Sequence, residues 1–183
     1  MADSDTGAPP KVLLITAAGL VVALAVAVAV FALVRGKATS DAAPPDANGP
    51  LALVAVPAPH ADEQPCTTLV SALPASLTSN GEQLARRALA APSPKATVAW
   101  GGGDAVVLRC GLDRPPELTQ TAQLRVVNGV QWLQLSEDGS ATWYVVDRDV
   151  YLALTIPDTA GTGPLQAISD TVAAKLPVKP LKF

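Results

Sequence analysis

Two cysteines, one histidine and a few close acidic pairs are the side chains that could give this 183-residue chain a chemistry. Cys66 and Cys110 are its only cysteines, 44 positions apart, and His60 is its only histidine. A metal centre needs more ligands at closer spacing, and a dithiol redox centre reads CxxC. Serines are plentiful, but no G-x-S-x-G elbow occurs and no histidine lies beyond position 60 to act as a base. A carboxylate-pair hydrolase needs two acids held roughly 5–9.5 Å apart in a cleft. Glu137-Asp138 and Asp147/Asp149 are the candidates, yet both stand where turns want Asp. No catalytic residue, cofactor or metal ligand is assigned on these grounds. What suits an even pair of cysteines in an oxidising compartment is a disulfide between Cys66 and Cys110.

What precedes the cysteines places the chain at a membrane. Residues 12–34 read VLLITAAGLVVALAVAVAVFALV, 23 residues without a charge, between Lys11 and the pair Arg35 and Lys37. About 20 apolar residues at 1.5 Å each cross the roughly 30 Å of bilayer hydrocarbon, and helix satisfies every backbone group there. The expectation is a single transmembrane helix over 12–34, a cytoplasmic tail over 1–11 and lipid as a partner of the span. A cleaved signal is the competing reading, with small residues near Ala38 and Ala42, but signal apolar regions run only about 7–15 residues. Gly19, Ala23 and Ala27 form a small-xxx-small series; an Ala-rich helix accounts for them equally. Basic residues flank both ends of the span, so charge alone sets no orientation. The cysteine pair decides it: the C-terminal part is expected outside the cytoplasm, at the cell membrane.

Residues 35–50, RGKATSDAAPPDANGP, have no apolar periodicity and read as an extended Pro/Ala-rich linker. A domain over 51–183 follows. From Gly49 onward there are 12 acids and 10 bases with no basic stripe, which argues against nucleic acid as a partner. His60, in PAPHADEQP, is expected in an exposed Pro-rich loop.

Within the domain, Leu51–Val56 reads as a short strand, and Leu69, Leu73 and Leu77 as one side of a helix broken near Pro74. Glu82–Ala90 reads as a second helical piece, with Leu84 and Leu89 inward and Arg86 and Arg87 in water. From Thr97 the pattern turns to strands: TVAW, then AVVLRC, with WGGGD as the turn between them rather than a phosphate cradle, which would lead into a helix. Asn128-Gly129 divides two strand-like runs, the signature of a type I′ hairpin. Turns at Asp138-Gly139 and at Asp147 to Asp149 extend this to a meander of about four antiparallel strands ending at Ile156, with Leu152, Leu154 and Ile156 on one face. A last helix is expected with Pro164 in its first turn, Leu165, Ile168, Val172 and Leu176 as its stripe, and Pro177 as its stop. The fold class is α+β: a two-layer sandwich of an antiparallel meander and one or two packing helices, preceded by the single transmembrane helix.

One ordered set of residues is similar to a known family. Cys66 with Leu69, Leu73 and Pro74; Ala99-Trp100-Gly101; Val107-Leu108-Arg109-Cys110-Gly111 with Pro115; Leu118-Thr119; Val127-Asn128-Gly129-Val130 with Trp132; and Arg148, Tyr151, Thr155 and Pro157 together resemble the actinobacterial domain-of-unknown-function family 3515. The chain departs from it at Gly102 and Gly103, where relatives tend to carry Asp-Pro. The resemblance implies an exported, single-pass or secreted envelope domain with paired cysteines, and no established activity.

The functional expectation is a membrane-anchored extracytoplasmic domain that interacts or senses at the cell envelope without catalysis, its partner an envelope protein or wall component. An envelope hydrolase with a carboxylate pair, or a structural subunit of a membrane assembly, are the alternatives. Trp100, Arg109 and Arg114 are the candidate binding surface, because aromatic and Arg side chains dominate contact energies when exposed. The bland alternatives are a core position for Trp100 and, for Arg109, solvent or a pair with Asp113.

Overall fold

The computed structural model describes residues 49–183. The expected tail, membrane span and nearly all of the linker lie outside them, and no described helix is long and apolar enough to cross a membrane. In chain order the elements are α1 (Gln64–Ala72), β1 (Ser76–Ser79), β2 (Glu82–Arg87), β3 (Thr97–Trp100), β4 (Val106–Leu112), β5 (Leu124–Val127), β6 (Val130–Glu137), β7 (Ser140–Val145), β8 (Tyr151–Pro157) and α2 (Gly163–Lys175). The strands form one antiparallel sheet in the order β1-β2-β3-β4-β8-β7-β6-β5. Two four-stranded meanders thus meet along their last strands, Leu108 opposite Leu154 and Arg109 opposite Ala153.

Helix α2 explains the shape of the sheet. It packs against β1 at one edge, β8 in the middle and β5 and β6 at the other edge. Eight strands laid flat span about 34 Å, roughly three times the width of a helix. One helix reaches both edges only if the sheet curls around it, so the α+β fold is a half-barrel rather than a flat two-layer sandwich. The expected stripe of Leu165, Ile168, Val172 and Leu176 is buried against Trp132, Leu152 and Leu154. Ser169 on the same helix accepts the Trp132 indole N–H at 3.0 Å and donates to the Leu165 carbonyl at 2.7 Å. A polar atom in an apolar core is thereby satisfied on both sides.

The second meander follows its turn chemistry. Asn128 and Gly129 have φ of 47° and 76°, the pair of positive values that a type I′ turn requires, and the Asn128 amide donates to Asp170 Oδ1 on α2 at 2.7 Å. Strands β5 to β8 and helix α2 occupy the positions read from the sequence. At Asp138-Gly139 only the glycine has positive φ.

The first half corrects three expectations. Glu82–Ala90 is not helical: Asn80 and Gly81, with φ of 50° and 84°, make another hairpin turn that pairs β1 with β2. Leu84 and Leu89 are too sparse a stripe to outweigh it, and β2 has no fully buried residue. Helix α1 stops at Ala72, because Leu73 precedes Pro74 and is extended (ψ 143°), which leaves Leu77 on β1 instead of the helix. Leu51–Val56 is no strand; Leu51 alone makes a parallel bridge to Leu89, and the rest has no regular secondary structure.

Strand β4 contains a close backbone approach. Its register shifts between Cys110 and Leu112, and Gly111 in the bulge has φ of 86°. The Gly111 carbonyl accepts the His60 N–H at 3.0 Å, and a Cβ on Gly111 would collide with the backbone of His60 and Ala61. Gly111→Ala therefore forces the approach to α1 off the sheet. The expected loss is about 2–3 kcal/mol, read as a lower urea midpoint; a midpoint equal to wild type contradicts it.

Candidate functional site

The cysteines are joined. Cys66 on α1 and Cys110 on β4 form a disulfide with Cα atoms 5.6 Å apart, both wholly buried in the main core. It pins the helix to the middle of the sheet and presents no thiol to a substrate. Among the described residues no group of three His, Cys, Asp or Glu side chains is placed to hold a metal ion.

The acids divide between exposed and paired positions. Glu137 and Asp138 lie in the exposed β6–β7 turn. Asp149 meets Lys179 at 3.3 Å. Asp147, expected in a turn, lies in the β7–β8 loop and is buried there, its Oδ2 2.8 Å from Nη1 of the equally buried Arg148. The adjacent acids Asp62 and Glu63, which the sequence reading passed over, pair with Lys95 and His60 at 2.6 Å each. His60 is exposed, as expected, but its backbone is fastened to Gly111 and belongs to the fold.

The three residues of the candidate surface separate. Trp100 is fully buried on the inner face, its indole N–H donating to the Pro74 carbonyl at 3.0 Å. Arg114, in the β4–β5 loop, donates to the Leu118 carbonyl at 2.8 Å. Arg109 lies on the other side of β4 from Cys110, on the outer face of the half-barrel. No hydrogen bond or ion pair holds it among the described residues, Asp113 included, and its Nε is sealed from solvent without a partner.

Register builds the surroundings of Arg109. Ala153 on β8 is the Cα partner of Arg109 on β4 and of Tyr144 on β7, so the two long side chains flank one small residue about 10 Å apart across the face. Thr97 on β3 is the next neighbour of Arg109, and in the adjoining row Thr155 and Thr142 share a hydroxyl contact at 3.1 Å. The segment at Ala55, Val56 and Ala58, with Pro94 and Lys95, lines a cavity of about 200 Å³ over Thr97 and Arg109. Larger concavities of about 480 and 470 Å³ lie along β2 and beside α1. Both cations at the second are engaged, Arg86 with the Val70 carbonyl and the Trp100 ring and Lys95 with Asp62. Arg109 is therefore the more telling group, in the smaller cavity.

Burial lowers the Arg109 pKa, the direction of a desolvated cation, with Tyr144 partly opposing; a guanidinium keeps its charge regardless. Burial raises Tyr144, with Glu117 and Glu137 adding to the rise and Arg109 opposing it; burial also raises Tyr151, against Arg114. An acid whose folded pKa lies above its unfolded value of about 10 gives stability that is complete below that pH and is lost as pH rises through the folded pKa. We therefore expect alkaline destabilisation that tracks phenolate absorbance and is reduced in Tyr144→Phe. An ordinary tyrosine titration, with no change in that variant, contradicts it.

Tyr144 was missed in the sequence although alternation in SATWYV places it opposite Trp143. Its relation to Arg109 depends on the β4–β8 pairing, which joins strands far apart in the chain and leaves no local mark.

No curated protein and no solved structure matches the chain. The family described as protein of unknown function (DUF3515) matches residues 18–181, nearly its whole length, and the chain belongs to that family.

Proposed function

We propose that the chain is a membrane-anchored protein whose domain over 51–183 lies outside the cytoplasm and binds an envelope protein or wall component through the outer face around Arg109, without catalysis. The observation that carries the binding reading is a half-buried guanidinium that has no carboxylate or carbonyl partner among the described residues, beside a hollow of about 200 Å³. A cation in that position is normally paired, so leaving it open is tolerated where something else pairs it. The uncharged run over 12–34 supports the anchor, and the buried disulfide supports an oxidising compartment.

Two arms test the reading in the native host. A membrane-impermeant amine reagent applied to intact cells is expected to label the exposed Lys95; labelling only after lysis contradicts the topology. A photocrosslinking residue in place of Thr142 is expected to trap one discrete envelope product, lost when Arg109→Gln is added. No product beyond that formed from exposed Val178 contradicts binding at this face.

A further inference from the structure

The chemistry of the Arg109 hollow narrows what it holds. Among the described residues no carboxylate forms an ion pair with Arg109, and its neighbours across the sheet, Thr97 and Ala153, carry no charge. The Tyr144 hydroxyl likewise has no hydrogen-bond partner among the described residues. The other cation lining the cavity, Lys95, is neutralised by Asp62 at 2.6 Å. One uncompensated positive charge therefore remains in the cavity, with one free phenol outside its lining, on the other flank of Arg109 across Ala153.

The surrounding charge sets an upper limit on the ligand. Glu117 and Glu137 act on Tyr144 from the side facing the β4–β5 loop and the β6–β7 turn, which penalises a second negative charge on anything bound there. A cavity of about 200 Å³ is below the roughly 300 Å³ at which drug-sized pockets begin, so it takes the end of a chain rather than a whole polymer unit. Guanidinium forks match the planar geometry of a carboxylate, and a phenol O–H makes a charge-assisted bond to the same group.

We infer that the outer face around Arg109, from the cavity over Thr97 across Ala153 to Tyr144, is a binding site for a singly charged carboxylate at the end of an extended ligand, with Thr97 and Thr155 beside it as further hydroxyl groups. Arg109 receives the carboxylate through its Nη groups, since Nε is sealed. This deepens the binding reading above and rests on it for location, but it is tested separately on purified protein.

The full chain, labelled with ¹⁵N-arginine and held in detergent micelles, is titrated while the Arg109 Nε–H signal is followed. That signal is identified by its loss in Arg109→Lys. N-acetylalanine represents a terminal α-carboxylate and glucuronate a sugar acid; N-acetylalaninamide is the neutral control and inorganic phosphate the dianion. A saturable shift with either carboxylate supports the site, and the tighter of the two identifies the source. Tyr144→Phe is expected to weaken that binding about tenfold, as loss of one charge-assisted hydrogen bond. No saturable shift with either carboxylate, an equal shift with the amide, or tighter binding of phosphate overturns the inference. A crosslink at Thr142 in cells together with no carboxylate response in micelles would retain the binding face and reject the ligand class; absence of both rejects the two together.

Discussion

Reducing the Cys66–Cys110 bond is expected to lower the unfolding free energy by about 4 kcal/mol, the chain-entropy value for a crosslink closing 44 residues. That is a large share of a small domain's net stability, about 5–15 kcal/mol. The placement gives a structural reason for the size of the effect. Helix α1 is nine residues long, no side chain caps its first turn, and it contributes only Cys66 and Leu69 as buried residues. A helix that short is marginal without tertiary support. The bond fixes it to β4, whose Val106, Leu108 and Cys110 all lie in the main core. Urea unfolding of the full chain, followed by the fluorescence of Trp100 and Trp132 with and without reductant, measures the difference. A midpoint that reduction leaves unmoved contradicts this account.

Arg148→Ala is expected to cost about 3–5 kcal/mol, the range for removing one partner of a buried ion pair. The two side chains of the Asp147–Arg148 pair are 2% and 1% exposed, so a charge left alone there has no water to turn to. The pair also serves as a clasp. Asp147 Oδ2 accepts the Gln131 N–H at 3.1 Å, Arg148 Nη2 donates to the Gly129 carbonyl at 3.2 Å, and the Asp147 carbonyl accepts the Lys179 N–H at 2.9 Å. The β5–β6 turn, the β7–β8 loop and the C-terminal tail converge on it. Asp147 Oδ1 and Arg148 Nε stay buried without partners, so the network is incompletely satisfied. For that reason the double variant Asp147→Asn with Arg148→Met is expected to recover part of the loss. A single Arg148→Ala change costing less than about 1 kcal/mol would show that the charges are not sealed as described.

The second half of the fold was legible because its signals are local. Asn128-Gly129 dictates a hairpin, alternation sorts Leu152, Leu154 and Ile156 from Tyr151 and Thr155, and the stripe on α2 needs only the helical period. The first half was harder. Glu82–Arg87 is rich in helix formers yet pairs with β1, because the Asn80-Gly81 turn returns the chain and Asn80 is held by the Thr159 carbonyl at 3.1 Å, 79 positions away. Tertiary contact outweighed propensity there. At the site the outcome divides in the same way. Arg109 was named from its residue type, but Trp100 beside it in the candidate set belongs to the core, because alternation along β3 and β4 places the two on opposite faces. Tyr144 joins Arg109 only through β8, a pairing that closes across more than forty residues.

The central claim is that the 51–183 domain is exported and locked by its disulfide. It is tested most directly by denaturing freshly harvested native cells in excess alkylating reagent without reductant, then weighing the peptides that contain Cys66 and Cys110. The account predicts that neither cysteine carries the alkyl group and that the two peptides travel as one crosslinked species. Full alkylation of both would contradict it.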